Sequence, residues 1–383
     1  MEKARRIQGL VQSDIRRMTR ECNRVNGINL GQGICDLPTP PEVIEETIKA
    51  VQKDLSTYSK FEGVDPLREQ LAHKMTHYNK RPTDPNGEIV VTIGATGAFA
   101  ATCQALLNPG DEVILFEPYY GYHVNTLLIA GAKPVFIPLA PPEFSITREM
   151  LEGARTDKTR AILVNTPTNP SGKVFGLDEL QLIADFCQEH DLLAFTDEIY
   201  EYILYDDLEH ISLATLPGMR ERTVTISGLS KTFSITGWRL GYVVADPALA
   251  GPIGLVNDLF YVCAPTPLQH GVAHGMARMD DSYYAGLRPL YQKKRDLFCS
   301  TLEDAGLKPI WPKGAYYVLA DITRLGCGTS REAAMHILNE VGVASVSGAC
   351  FYRGAIGEGL VRFCFAKEEP VLRQACDRIR RLA

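Results

Sequence analysis

With 383 residues, 45% hydrophobic and 22% charged, the chain has the make-up of an ordinary globular protein long enough for two domains. Its 40 basic residues are outweighed by 46 acidic ones, a net charge of -6, which argues against nucleic acid as a partner. No run of about 18 apolar residues is present and MEKARRIQGL has no apolar signal core, so the expected location is the cytoplasm. The ten cysteines form no CxxC pair and sit mostly in apolar context, which points to reduced, buried thiols. His270 and His274, like His73 and His77, have the spacing of a helical metal pair. Gly271 stands where a zinc hydrolase helix needs glutamate, and no third ligand is evident, so no metal is expected.

Apolar spacing at Ile7, Leu10, Val11, Ile15 and Met18 predicts a helix over 7–24, ended by the turn Asn26-Gly27. The stretch INLGQGICDLPTPPEV follows, a rigid loop in which Gly31 and Gly33 either turn tightly or lie against a ligand. Residues 42–54 read as helix, and Asp65-Pro66 opens another that runs to about Asn79. From residue 88 strand, loop and helix repeat. Strands are predicted at 88–94, 112–116, 134–139, 160–164, 192–196, 223–226 and 240–245. GATG is read as a loop before the helix AFAATCQALL, and further helices end near Ala130 and span 178–190. Unalternated β-branched strands between helices predict a doubly wound α/β domain with a mostly parallel sheet buried on both faces. From about 283 the rhythm becomes α+β. A long helix at 286–305 leads into AYYVLADI, a helix at 330–341, GVASVSG, LVRFCFA and a last helix at 368–382.

In open α/β sheets ligands bind beyond the carboxyl ends of the strands. The segments that follow the predicted strands are Gly94 to Gly97, Pro118-Tyr119-Tyr120, Asn165 to Gly172, Asp197 to Tyr200 and Ser227 to Lys231. Together they place a small-residue helix start, aromatics, amides, a carboxylate, a phenol and an amine on one rim. Each alone has an ordinary explanation as a turn, a cap or a surface lysine. Jointly they match what pyridoxal phosphate requires: an anion loop, a ring plate, a partner for the pyridine nitrogen, donors to the 3-oxygen and a lysine.

The stretch SGLSKTFSITGWRLGY is similar to the lysine signature of the class I/II, fold-type I pyridoxal-phosphate-dependent aminotransferases, in their aspartate, aromatic and kynurenine branch. NLGQG, GATGA, NTPTNPSGKVF, DEIY and VRFCFA resemble the companion motifs in the same order, so the resemblance covers essentially the whole chain. It implies that Lys231 is the Schiff-base lysine, that Asp197 pairs with the pyridine nitrogen, and that Tyr200 and Asn169 serve the 3-oxygen. Arg239, Ala95 and Thr96 match the phosphate site, and Tyr120 the ring-stacking aromatic. Tyr58 resembles the tyrosine that reaches a neighbouring subunit's phosphate, which implies a homodimer with shared sites. Arg362 matches the arginine that grips the substrate carboxylate, and Gly33 the glycine that passes over the substrate. The implied activity is ping-pong transfer of an α-amino group from an amino acid to a 2-oxo acid.

The chain also departs from the family pattern. Gly228 replaces a serine that binds phosphate in many relatives, which leaves that contact to Ser230 or Ser227; Ser230 is carried into the expected cofactor site. Cys35 and Leu37 replace Pro and Phe in the glycine loop. Thr96 stands where one aspartate-specific branch has lysine, and with Tyr119, Tyr120, Tyr122, Tyr316 and Tyr317 nearby this leans toward apolar or aromatic substrates. The resemblance leaves two alternatives: a carbon–sulfur β-lyase using the same Lys231, and, more remotely, a non-catalytic regulator. The expected domains are a segment 1–45 packing with the small domain, a large cofactor-binding domain 46–282 and a small domain 283–383.

Overall fold

The computed structural model describes residues 4, 7, 10 and 14–383. The elements are α1 (Asp14–Arg24), β1 (Ile28–Asn29), α2 (Pro41–Gln52), α3 (Asp65–His77), β2 (Ile89–Ile93), α4 (Gly94–Leu106), β3 (Glu112–Glu117), α5 (Gly121–Ala130) and β4 (Lys133–Pro138). There follow α6 (Arg148–Ala154), β5 (Thr159–Asn165), α7 (Leu177–Glu189), β6 (Leu193–Asp197), β7 (Thr223–Gly228), β8 (Leu240–Val244), α8 (Pro247–Tyr261) and α9 (Thr266–Arg278). The chain closes with α10 (Asp281–Asp304), β9 (Lys308–Ile310), β10 (Tyr317–Asp321), α11 (Ser330–Val341), β11 (Val343–Ala344), β12 (Val346–Ser347), β13 (Leu360–Cys364) and α12 (Glu369–Ile379).

Seven strands form the main sheet in the order β2-β8-β7-β6-β5-β3-β4. All neighbours are parallel except β8, which runs antiparallel to both β2 and β7. Alternate residues of each central strand feed two different cores. Ile114, Ile162 and Val164 pack with Leu180 and Ile183 of α7, whereas Val113, Leu115 and Leu163 pack with Ala98 and Phe99 of α4. This two-sided burial is why the strands read as continuous apolar runs. A second, antiparallel sheet has the order β12-β13-β10-β9, and β1 pairs in parallel with β11. Met18 and Cys22 of α1 share a core with α10, α11 and α12, so the two ends of the chain pack together.

Several boundaries differ from the sequence expectation. The first helix starts at Asp14, not at residue 7. Ile7 and Leu10 lie outside any α-helix, Ile7 is 40% exposed, and Val11 falls outside the described residues. GATG is the first turn of α4, not a loop before it. The long helix α10 begins at Asp281 because Asp280 caps it, its carboxylate accepting from Ser282 N at 2.8 Å. Helices α8 and α9 had no counterpart in the sequence reading. In α9, a side chain at Gly271 would collide with Thr47, and one at Gly275 with Val43. The two glycines let α9 press against α2, a close approach that their helix-breaking character conceals in the sequence. All ten cysteines are free, and seven are buried.

Candidate active site

The carboxyl ends of β5, β6 and β7, the start of α4 and the loop after β1 converge on a cleft of about 460 Å³. Lys231 enters it from the turn after β7. Its Nζ donates to Gly33 O at 3.3 Å and lies 5.8 Å and 5.5 Å from the Tyr200 and Tyr316 ring centroids. Burial pulls its pKa from 10.5 down to about 8, although Cys364, Cys35 and Asp197 push the other way. The amine is therefore much easier to deprotonate than an ordinary lysine.

Asp197 ends β6. Its Oδ2 meets His123 Nε2 at 2.9 Å, and its Oδ1 accepts from Ile199 N at 3.3 Å. His123 comes from α5, is buried, and packs edge-on against Tyr120 and Phe99. Its role escaped the sequence reading, which stopped at Tyr120 on this segment. The available signal was position: it opens the helix that follows β3, on the same rim. Tyr200 lies three residues beyond Asp197, its hydroxyl 3.1 Å from that of Tyr317. Burial, reinforced by Tyr317, holds the Tyr200 phenol well above its usual pKa.

Arg239 stands before β8 and reaches α4. Its Nη2 donates to Thr96 Oγ1 at 3.0 Å, and its Nη1 to Thr236 O at 2.9 Å. The first turn of α4 has no side-chain cap, so its backbone N–H groups near Ala95 and Thr96 are free to meet an anion. Ser230 and Thr236 also line this end. Ser227 does not: its hydroxyl donates to Glu201 at 3.0 Å, away from the cleft. Of the two candidates left by Gly228, only Ser230 faces the cleft. Thr236 was not singled out from the sequence.

Arg362, on β13, is 1% exposed. Its Nη1 donates to Asn169 Oδ1 at 2.9 Å and its Nη2 to Gly31 O, with the guanidinium between the Tyr317 and Phe351 rings. Its Nε is buried without a partner among the described residues. Asn169 is held by Asn165, whose Oδ1 accepts from Asn169 N at 2.8 Å and whose Nδ2 donates to Asp197 O at 2.9 Å. A Cβ on Gly33 would lie 1.8 Å from the Tyr317 hydroxyl, so only glycine lets this loop pass. Tyr120 lines the cleft, stacked on Tyr122 with centroids 5.2 Å apart. Tyr58 does not line it; it is 81% exposed on the surface. The cleft thus gathers Gly33, Ala95, Thr96, Tyr120, Asn169, Asp197, Tyr200, Ser230, Lys231, Arg239 and Arg362, and leaves Tyr58 outside.

A family model described as aminotransferase class I and II matches residues 25–379. The chain is 37% identical to kynurenine–oxoglutarate transaminase 3 of Mus musculus, the match covering 96% of this chain and 88% of that protein. It is also 37% identical to the aspartate aminotransferase of Pyrococcus abyssi, over 93% of this chain and 91% of that one. Among solved structures it is similar to N-succinyldiaminopimelate aminotransferase from Mycobacterium tuberculosis, with a TM-score of 0.96 at 32% identity and 100% of both chains covered.

Proposed function

Since the chain belongs to the class I and II aminotransferases, enzymes that move an amino group between amino acids and 2-oxo acids with pyridoxal 5'-phosphate, we propose that the cleft around Lys231 is its active site. The observation that carries the proposal is the half-buried, easily deprotonated Lys231 amine sharing one cleft with Asp197, the Arg239–Thr96 pair and Arg362. The residues fit the cofactor. The uncapped start of α4 beside Arg239 suits a phosphate, with Ala95, Thr96 and Ser230 supplying further donors. Asp197 suits a protonated ring nitrogen and is oriented by His123. Tyr200 and Asn169 suit the ring oxygen, and Tyr120 the ring face. The partnerless Nε of Arg362, on a guanidinium already fixed by Asn169 and Gly31, suits a substrate carboxylate.

Bound pyridoxal phosphate supplies the aldehyde that takes up the amino group and the cationic ring that draws electrons from the substrate Cα. The protein supplies the rest. Arg362 fixes the substrate carboxylate and thereby the Cα. Lys231 Nζ is placed to take the proton from that carbon and hand it on, which requires the neutral amine, a form that the pKa lowered by burial to about 8 makes easier to reach. The raised Tyr200 pKa keeps its phenol a hydrogen-bond donor. Tyr316 donates to Gly33 O at 3.2 Å and so ties the Gly33 loop to the tyrosine side of the site.

Tyr58 and the exposed apolar residues Leu255, Leu259, Phe260 and Tyr261 on α8 support a homodimer in which Tyr58 serves the partner's cofactor. The core shared by α1 with α10, α11 and α12 supports a small domain made from residues 1–45 and 283–383, beside a large one at 46–282. No helix among the described residues is long and apolar enough to cross a membrane, and the free thiols support a reducing compartment such as the cytoplasm.

The test is the purified protein's visible absorption. The wild type is expected to show the band of lysine-linked cofactor, and Lys231→Ala to lose it while still folding. A panel of amino donors with 2-oxoglutarate as acceptor then separates transfer from β-elimination: a matched pair of new amino and 2-oxo acids supports transfer. Ammonia with pyruvate from a sulfur-bearing donor, and no transfer, would place the enzyme among the lyases.

A further inference from the structure

Two sets of contacts outside the proposed chemistry hold Lys231 in place. Its Nζ donates to Gly33 O at 3.3 Å, and the Tyr316 hydroxyl donates to that same carbonyl at 3.2 Å. Three residues further along the chain, Ser234 has φ +58°, a left-handed conformation uncommon outside glycine. Its Oγ lies 3.2 Å from Cys35 Sγ in the glycine loop. Cys35 Sγ also lies 3.0 Å from the hydroxyl of Tyr291 on α10. The Tyr291 ring in turn stacks on Tyr316, with centroids 5.8 Å apart and planes at 30°.

These contacts close a circuit. One arm runs from Lys231 Nζ through Gly33 O and the Tyr316 hydroxyl to the ring of Tyr291. The other runs from the Tyr291 hydroxyl through Cys35 and Ser234 back to the turn that carries Lys231. That turn is tightly bonded: Phe233 N donates to Leu229 O at 3.0 Å and Ile235 N to Ser230 O at 3.1 Å, so a hold on Ser234 is a hold on Lys231. Tyr291 serves both arms, one with its ring and the other with its hydroxyl. It is fully buried, and burial, reinforced by Cys35, holds its phenol well above the usual pKa, so the hydroxyl keeps its proton. The proline that Cys35 replaces has no polar side chain and makes neither contact, so the second arm belongs to this chain's own departure from the family pattern.

We propose that Tyr291 is a positioning residue that, through Cys35 on one side and Tyr316 on the other, fixes the Lys231 amine against the glycine loop. The inference rests on the reading of the cleft as the active site and adds to it a residue that does not line the cleft. Whenever the amine is free, its reach to a substrate carbon is set by the separation of its turn from the glycine loop. A misplacement of about 1 Å in such a separation slows a reaction by up to about a hundredfold. The circuit holds that separation from both ends of the turn.

The test uses three substitutions. Tyr291→Phe keeps the ring stack and removes the hydroxyl, Cys35→Ala removes both sulfur contacts, and Cys35→Ser keeps a hydrogen-bonding atom in place. In the holoenzyme, Tyr291→Phe and Cys35→Ala are each expected to lower kcat about three- to tenfold and to change KM for the amino donor by less than about twofold, since Arg362 is untouched. Cys35→Ser is expected to recover most of the loss. Tyr291→Phe combined with Cys35→Ala is expected to be no slower than Cys35→Ala alone, because both break the same bridge. In the cofactor-free proteins, acetylation of Lys231 by acetic anhydride, followed across pH by mass spectrometry, reports the amine directly. Its midpoint is expected near pH 8 in the wild type. In Tyr291→Phe it is expected to move up by about half a pH unit or more, as a loosened turn lets water reach a charge that burial disfavours. Asp197, Arg239 and Cys364, which also face the amine, stay in place in every variant. Variants with wild-type kcat and midpoint, a loss confined to KM or to the urea-unfolding midpoint, or losses that multiply in the double variant overturn the inference and leave aminotransfer standing. A wild type that transfers no amino group overturns both readings.

Discussion

Replacing Lys231 by methionine in the cofactor-free protein is expected to make it more stable. The folded amine releases its proton near pH 8, whereas in the unfolded chain it holds it to the ordinary value of 10.5. Between these values the unfolded state binds more protons, so stability rises with pH, and below about pH 8 the full penalty for burying the charge acts against folding. At pH 7 that penalty is about 3 kcal/mol. Methionine keeps the unbranched stem among Tyr200 and Tyr316. It forfeits the hydrogen bond to Gly33 O, worth about 1 kcal/mol. The net gain at pH 7 is about 2 kcal/mol. At pH 10 the penalty has shrunk to about 1 kcal/mol and the two proteins should match. Urea unfolding of both apoproteins at pH 7 and pH 10 measures this through the transition midpoints. A variant less stable than the wild type at pH 7, or a difference that does not change with pH, would show that the lysine is not held deprotonation-prone by burial. The proposed acid–base role would then lose its physical basis.

Two other perturbations probe the frame around the site. Gly33→Ala drives a methyl group into the Tyr317 hydroxyl, and kcat/KM is expected to fall by more than about tenfold; adding Tyr317→Phe should restore part of the loss, whereas no rescue would mean that the loop fails for another reason. Beneath the rim, Glu201 pairs with Lys74 and accepts from Ser227 and Asn79; burial raises its pKa, but Lys74, with His210 and Asn79, offsets this and leaves it lowered. Lys74→Met is therefore expected to cost about 3–5 kcal/mol in urea unfolding, and Lys74→Met with Glu201→Gln clearly less; equal costs would remove the argument that an unpaired buried carboxylate is the damage.

The sequence exposed the rim because parallel strands end in register and each hands its next few residues to the same edge. Asp197, Asn169 and Lys231 could thus be brought together from strand ends alone. Arg362 and Gly33 come from segments with no such rule. Their apolar or glycine-rich neighbours marked them as unusual, and only the resemblance assigned them to the cleft. Where helix signals were weak the reading failed. GATG looked like a loop because small residues suit a turn and a tight helix start equally. Helix α9 was hidden by the glycines that let it touch α2.

His123 went unassigned for a different reason. It lies on a helix, where a polar side chain is ordinarily a solvated one, and only the direction of the helix decides otherwise. His123 gains its meaning from Asp197, 74 residues away in sequence. Residues handed to the rim by strand ends can be read as a set from the strand pattern alone. A residue that a helix brings to the same rim is legible only once the helix has been placed, as α5 is when His123 meets Asp197.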